Sequence, residues 1–579
     1  MNEALVAAAG SEATLTFVRG DESEQRLSWA EVLERARLTA AGLAGRGVTA
    51  GDRVALILPT SLDFVAAFFG ALLAGAVPVP LYPPARLGRL DEYHDSTSRL
   101  LTAAGARLLV TDRSVRNLLG RVLATAGTEL GCVTVADLDR SAAGPAPMPE
   151  VGPGDLALVQ FSSGTTRDPR PVALTQAALV AQCAALKQLI DDVLGPAAPA
   201  GLRTGVSWLP LYHDMGLIGS LLGAVTHPGS LVLIPPERFL VRPALWLRAI
   251  ARHRAQVSPA PAFAFGLAAR RVREMEMAGC DLSCWRLAIC GAEPVPAAVL
   301  ERFARRFAPH GFRRQALAPA YGLAEAALAV TCTHGGGPAT CAVDGAALSV
   351  GRPVAPGVHS VTAAGEPLAE VEVEIRDDRG RPLPESVYGH IHVRGPGLMI
   401  GYLGQREATR AVLRGGWLAT GDLGFRQDGR LWVAGRARDV IILRGANRLP
   451  EEFEEAVAGS PGVRPGRAVA VGIMPEGADG EGLLMLVEHA RGAAAGAGEL
   501  AERLQREVRR RTGIAPHAVV VLAPGTLPLT SSGKLRRAEA RRRHLAGELS
   551  GPGSAGPVAL AGHLMRSAAG FVRWRLGRT

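Results

Sequence analysis

SWAEVLERARLTAAGLAGRG (residues 28–47), followed by DRVALILP (residues 52–59), sets the fold class. In the first run apolar residues return every three to four positions. Ser28 stands where an N-cap belongs, Glu31 follows three residues later, and Gly45 or Gly47 closes the pattern, so a helix with a capping box is predicted. The second run is short and apolar throughout, as a strand buried on both faces would be. Strand and helix patterns alternate in this way to about residue 330, which predicts layered α/β structure. Over 341–395 the pattern changes to short strands with Gly/Pro turns, as in AEVEVEIRDDRGRPLPESVYGHIHVRG (369–395), and predicts a β-rich subdomain. A compact segment over 437–545 carries its own strand, helix and turn signals. LAGELSGPGSAGPVAL (545–560) then reads as a linker to a short basic tail. No internal repeat is visible.

A chain of 579 residues exceeds one ordinary core, so several domains or subdomains are expected. A hydrophobic content of 48% with 20% charged residues fits a globular protein. Only 5% of residues are aromatic, so the cores must rely on Leu, Val and Ala. The first residues, MNEALVAAAGSEATLTF, carry acids and no basic region, against a secretory signal. The longest uncharged run, FVAAFFGALLAGAVPVPLYPPA (64–85), is interrupted by Pro78, Pro80, Pro83 and Pro84. It reads as a buried helix and a short buried strand rather than a membrane span.

The seven cysteines (132, 183, 280, 284, 290, 332 and 341) form no CxxC pair, which disfavours disulfide and zinc frameworks and fits a reduced, cytoplasmic setting. His390 and His392 of GHIHVRG have no further ligand nearby in sequence and read as structural. The net charge of +10 sits at the end of the chain, where residues 501–579 hold 15 Lys/Arg against 4 Asp/Glu. Such a region suits an acidic partner, a phosphate-rich ligand or an anionic membrane. No finger pattern or aromatic-interleaved basic stripe points to nucleic acid.

The chain has two lysines, Lys187 and Lys534; every other basic side chain is arginine. Lys187 lies in a plain helical run. Lys534 lies in TSSGKLRR (530–537), between a polar turn and a basic segment, and its compact ammonium on a flexible stem differs from a guanidinium fork. A second polar turn occurs in LVQFSSGTTRDPRPVALT (158–175). Here a buried strand should end at Phe161 and yield to Ser162, Ser163, Gly164, Thr165 and Thr166, whose hydroxyls and free N–H groups can wrap phosphate oxygens. The chain contains neither a GxxxxGK[ST] loop nor a GxSxG elbow.

SWLPLYHDMGLIGSLLGAV (207–225), CGAEPV (290–295), PAYGLAEAAL (319–328), LATGD (418–422), GRARDVIILRGANRLPEEFEE (435–455) and PLTSSGKLRR (528–537) follow in order. Together they resemble the adenylate-forming superfamily of acyl-CoA synthetases, luciferases and adenylation domains, over about residues 10–545. SWLPLYHDMGLIG, WRLAICGAEPV, FAPHGFR and YGLAEAAL are most similar to its fatty acyl-AMP ligase branch. The resemblance implies a large multi-subdomain N-terminal region (1–436), a small mobile α+β domain (437–545) turning on a hinge near Arg438, and a tail (546–579). It implies ATP-dependent activation of a medium- or long-chain fatty acid to acyl-AMP with Mg²⁺, then transfer to an acyl carrier protein. A fatty acyl-CoA ligase and a catalytically weak acyl-adenylate binding module are the alternatives.

The implied site residues follow motif by motif. The Ser162–Thr166 loop would hold pyrophosphate. Tyr321, with Gly322 beside it, would stack on adenine, and Glu325 would ligate Mg²⁺, a hard cation suited to carboxylate. Asp422 would bind the ribose hydroxyls with Arg436 assisting, and Gly291, Ala292 and Glu293 would line the adenine slot. His213, backed by Asp214, would sit near the acyl carboxylate, and Lys534 would be the catalytic cation. Two departures from the superfamily pattern stand out, Arg170-Pro171 for Lys-Gly and His390 for glutamate; Arg167 also stands where glycine is frequent, although acyl-AMP ligases often carry arginine there. The Ala342–Leu368 segment matches the insertion thought to restrict domain rotation in acyl-AMP ligases. In the tail, Leu560, Leu564, Met565, Ala568, Phe571, Val572 and Leu576 alternate with Arg566, Arg573 and Arg575. That spacing fits a basic amphipathic helix on an anionic membrane or an acidic carrier, or docked on the protein's own small domain.

Overall fold

The structure is a computed structural model that describes residues 1–19, 21–84, 90–142, 144, 148–162, 169–195, 203–345, 347–443, 446–475, 481–490, 496–530, 533–549 and 565–567. Near the N-terminus a four-stranded parallel sheet runs in the order Val77–Leu81, Arg53–Ile57, Leu108–Thr111, Gly131–Thr134. The apolar 54–57 run is fully buried, as a strand covered on both faces must be. Pro78 and Pro80 sit on the edge strand, where a missing N–H leaves no ladder partner unsatisfied. The preceding helix, Leu62–Leu73, is buried along almost its whole length. Ser28 and Glu31 form the capping box of the Trp29–Gly45 helix, each accepting the other's backbone N–H.

The second layer is a nine-stranded sheet whose centre is parallel. Its order is Glu366–Pro367, Ala329–Cys332, Leu317–Gly322, Leu287–Cys290, Val257–Ala260, Thr204–Ser207, Ser230–Leu233, Thr14–Val18, Glu24–Ser28. Leu186 and Leu189 of the Gln176–Leu194 helix pack on one face against Leu287 and Ala318. The other face carries an aromatic cluster in which Trp246 meets Phe265 and Trp285 edge-on, and Phe303 meets Phe265 and Trp285 in the same way. Each ring of this cluster buries a large area, which partly offsets the low aromatic content of the chain.

Beyond residue 370 the chain turns β-rich: Glu372–Arg376, Gly389–Arg394, Trp417–Gln427 and Arg430–Arg436 pair antiparallel. Before them, Thr340–Val343 and His359–Thr362 form a hairpin whose Val343, Leu348 and Val361 share a core with Phe425, Trp432 and Leu449. After the short turn Ala437–Asp439, residues from Ile441 onward build cores of their own around Val463–Ile473, Gly482–His489 and Ala518–Leu522. This C-terminal unit lies against the N-terminal region, with Arg543 forked onto Glu92 at 2.9 and 3.3 Å.

Among the described residues no helix is long and apolar enough to cross a membrane. In the tail only Met565–Ser567 are described, so the other apolar and basic positions of its pattern lie outside the described residues. The Ser567 hydroxyl is buried and accepts the Gly120 N–H at 2.8 Å. Ser567 therefore meets the N-terminal region. A buried hydroxyl needs a donor or acceptor, and the free N–H at the first residue of the Gly120–Ala126 helix supplies one.

Candidate active site

A cavity of about 430 Å³ opens where the nine-stranded sheet, the β-rich sheet and the C-terminal unit meet. Each wall is set by a local structural cause. Asp422 and Arg436 face one another across the Trp417–Gln427 and Arg430–Arg436 strands, and this register brings Arg436 Nε to 3.2 Å from Asp422 Oδ1. Gly421, with φ +78°, makes the turn in Thr420-Gly421-Asp422 that a side chain would strain. Tyr321, at the end of the Leu317–Gly322 strand, donates its phenol to Asp422 Oδ2 at 2.6 Å. Burial and the Asp422 charge raise the Tyr321 pKa, so its phenol stays a donor. At Gly322 any Cβ would fall 1.9 Å from the Leu328 carbonyl oxygen, so only glycine lets the chain double back here and point Glu325 inward.

Glu325 lies in the short turn Ala324–Ala326, its carbonyl oxygen held by Met399 N–H at 2.9 Å. Burial raises its carboxyl pKa, while the Tyr402 phenol, donating at 2.9 Å, favours the charged form. Arg170 stacks over the Tyr402 ring at 5.2 Å from its centroid and faces the same space. Pro171 begins the Pro171–Thr175 strand, a position where proline is tolerated, so the Arg170-Pro171 departure leaves the wall intact. Tyr402 belongs to no motif read from the sequence. It reaches Glu325 because Gly401–Tyr402 pairs with the 171–175 strand.

His213 and Asp214 form the opposite wall, with Nδ1 2.6 Å from Asp214 Oδ1. Asp214 also accepts the Met215 N–H at 2.7 Å. Burial works against the Asp214 charge, but His213 and Lys534 outweigh it and hold the carboxyl below its usual range. The His213 ring, held by its contact with Asp214, lines the cavity.

Lys534 enters from the C-terminal unit. Its backbone closes a turn in which Thr530 N–H donates to the Lys534 carbonyl at 2.8 Å and Lys534 N–H to Thr530 Oγ1 at 3.0 Å. Arg467 holds the Gly533 carbonyl from outside. Burial lowers the lysine pKa, opposed by the charges of Asp214, Glu293 and Asp422. Among the described residues the ammonium makes no ion pair, so it stands in the cavity uncommitted.

Two further features complete the space. Leu186, Leu189 and Ile190 of one helix face Val257, Ile289 and Leu328, forming an apolar arm. Gly291 and Ala292 line the cavity, and Ala292 adopts φ +69°, a strained conformation for a side-chain-bearing residue and of the kind that clusters at functional sites. Glu293 does not line the cavity; its carboxylate accepts the Phe263 N–H at 2.7 Å near the start of a helix. Ser162 lines the cavity, and Ser163, Gly164, Thr165, Thr166 and Arg167 lie outside the described residues. His390 is away from the site, 2.9 Å from Asp378.

The profile of the AMP-binding enzyme family matches residues 5–403. A Caulobacter vibrioides protein, provisionally named an acyl-CoA synthetase, is 36% identical over 94% of this chain and 95% of its own. JamA of Moorena producens, named a medium-chain-fatty-acid–[acyl-carrier-protein] ligase, is 32% identical over 92% of each chain. A structure from work on the fatty acyl-adenylate ligases of E. coli and L. pneumophila is 34% identical. It superposes with a TM-score of 0.84 over 94% of this chain and 98% of its own.

Proposed function

The chain belongs to the AMP-binding enzyme family, an ATP-using and adenylate-forming group, and on that premise we propose a fatty acyl-AMP ligase that passes its acyl group to an acyl carrier protein. A fatty acid of medium or long chain fills the apolar arm, where each buried aliphatic contact favours a methylene chain over a polar one. Its carboxylate oxygen attacks the α-phosphorus of ATP, a P–O bond forms, and the bond to the β-phosphate breaks to release pyrophosphate. Negative charge grows at the junction of nucleophile, phosphorus and leaving group. The observation that carries this reading is the uncommitted, half-buried Lys534 ammonium at that junction, beside Asp214 and within the field of Arg436. A cation already desolvated and held in place stabilises such charge without reorganisation.

Asp422, fixed by Tyr321 and Arg436, accepts the ribose hydroxyls. The cleft of Tyr321, Gly291 and Ala292 takes adenine, and the His213 ring stands at the acyl carboxylate end. Ser162 and Arg170, with the hydroxyl-rich loop that follows Ser162, hold the phosphates. Glu325 fits Mg²⁺: it is an inward-facing oxygen donor whose burial raises its proton affinity with no cation bonded to it among the described residues. Mg²⁺ typically takes one or two carboxylates and substrate phosphates, and it would offset charge on the leaving group.

The carrier acceptor is favoured by the Ala342–Leu368 segment. Its hairpin shares a core with Leu449 at the start of the C-terminal unit, and Val440 beside the hinge packs against it. A large rotation of the unit beyond the 437–439 turn, of the kind that CoA entry needs, would have to break that core. For the tail, the Ser567–Gly120 bond supports docking on the N-terminal region over a membrane or carrier role. Seven unpaired cysteines support a reducing, cytoplasmic setting.

Pyrophosphate release with decanoic to hexadecanoic acids, with CoA and a holo-carrier protein as alternative acceptors, tests the reading. Fatty-acid-dependent release with thioester on the carrier supports it. Rapid acyl-CoA formation would favour the CoA ligase, as the name of the Caulobacter relative suggests. No release with any fatty acid would leave a binding module.

A further inference from the structure

Three residues beyond Lys534, the Arg537 guanidinium is enclosed by three carboxylates and only 16% exposed. Its Nε and Nη2 each lie 2.8 Å from an oxygen of Glu454, and Nη2 is also 2.8 Å from Glu451 Oε1. Nη1 reaches Asp439 Oδ2 at 3.3 Å. These contacts serve different parts of the molecule. Glu451 and Glu454 are on the Pro450–Val457 helix and Arg537 opens the Arg537–Leu545 helix, so those pairs lie within the C-terminal unit. Asp439 instead ends the Ala437–Asp439 turn that joins this unit to the Arg430–Arg436 strand. Its other oxygen is 3.7 Å from Arg438 Nε, and Arg438 lines the cavity. The hinge turn with its cavity-lining Arg438 and the segment bearing Lys534 are therefore joined by one charge network, and the Arg537–Asp439 pair is its crossing point.

We propose that Arg537 is a positioning residue: hooked on Asp439, it fixes the hinge in the setting that inserts Lys534 into the cavity. Any turn of the C-terminal unit about residues 437–439 changes the direction in which Asp439 leaves the strand, so this pair is remade or lost while the Glu454 fork persists. The contact to Asp439 is also the longest of the set, which suits a link that must release when the acyl group is handed on. The inference rests on the reading of Lys534 as the cation of the adenylation step.

The test separates the two half-reactions. Adenylation is read as dodecanoate-dependent pyrophosphate release with hydroxylamine as acceptor. Transfer is read as thioester formed from preformed dodecanoyl-AMP and pantetheine. Asp439→Asn should lower adenylation about 10–100-fold, the worth of one hydrogen bond between charged groups, and leave transfer and the melting temperature unchanged. Arg537→Lys keeps the charge but not the fork and should show the same split. Equal losses in both half-reactions, or a loss that follows the melting temperature, would make the network structural and overturn the proposal. Wild-type adenylation by Asp439→Asn overturns it too. Lys534→Ala tells the two failures apart: if that variant adenylates normally the role of Lys534 fails, and if it does not while Asp439→Asn does, only the role of Arg537 fails.

Discussion

Tyr402 donates its phenol to Glu325 at 2.9 Å, joining two residues that are 77 positions apart in the chain. The bond favours the carboxylate against the burial that raises its pKa. Tyr402→Phe removes it, so the Glu325 pKa should climb further and the carboxylate should protonate at a higher pH. The acid limb of fatty-acid-dependent pyrophosphate release should therefore move upward, and more Mg²⁺ should be needed for half-maximal rate. A loss of about tenfold at neutral pH is expected, in line with ~1.5–3 kcal/mol for a hydrogen bond to a charged group. An unmoved acid limb and unchanged Mg²⁺ dependence would detach Tyr402 from the site.

Lys534→Ala should lower adenylation by ~10²–10³, the usual loss of one preorganised charge-stabilising group, while transfer from preformed acyl-AMP is retained. Lys534→Arg should recover little, because a planar fork does not fit where a slender ammonium enters. Lys187→Arg should be silent, since Lys187 pairs with Asp191 on the half-exposed side of its helix. The Lys534 pKa is lowered by burial, so its charge is lost at a lower pH than that of a free lysine. Adenylation should fall as pH rises through that lowered value. The same shift costs stability: between the folded and unfolded pKa values the unfolded chain binds more protons, and stability rises with pH. Lys534→Met should thus raise the melting temperature at neutral pH while removing adenylation. A wild-type rate for Lys534→Arg would make the lysine an accident of composition.

Much of this site was legible because its motifs carry their own geometry. The glycine of Thr420-Gly421-Asp422 and the close approach at Gly322 are local demands, and the capping box at Ser28 and Glu31 is local too. What the sequence hid depends on assembly. Tyr402 meets Glu325, and Arg170 meets Tyr402, only because the 401–402 and 171–175 segments pair across the fold. Glu293 sits in a motif with Gly291 and Ala292, yet the free N–H near the start of the neighbouring helix claims its carboxylate. The crowding of Arg537 was likewise invisible, since its three acids lie about 80–100 residues upstream.

The hairpin core offers a prediction about acceptor choice. Val361 and Leu449 are buried in one cluster although they belong to the 342–368 segment and the C-terminal unit. Truncating buried aliphatic side chains costs about 2–5 kcal/mol where the site cannot collapse. Val361→Ala with Leu449→Ala should loosen the restraint on rotation, raise whatever acyl-CoA formation exists and spare adenylation. Excising part of 342–368 should act in the same direction. If neither change alters the ratio of CoA to carrier thioester, the segment is an ordinary surface extension.

The last prediction concerns the tail. Ser567 is fully buried and its hydroxyl meets the Gly120 N–H, so the chain at this residue is fastened to the N-terminal region, which also receives Arg543 on Glu92. Two attachments then hold the C-terminal unit beside the region where Lys534 is inserted, and the second is joined through a glycine- and proline-rich stretch. Loss of a buried hydrogen bond leaves the Gly120 N–H without a partner, at a cost of about 1–3 kcal/mol. Truncation after Gly547 should therefore lower the melting temperature modestly while adenylation, carried by residues 1–545, continues. Ser567→Ala should reproduce part of that shift, and binding to anionic vesicles should be equally weak for the full-length and truncated proteins. Vesicle binding that the truncation abolishes would return the tail to a membrane role, and an unchanged melting temperature in both variants would remove the docking contact from the fold.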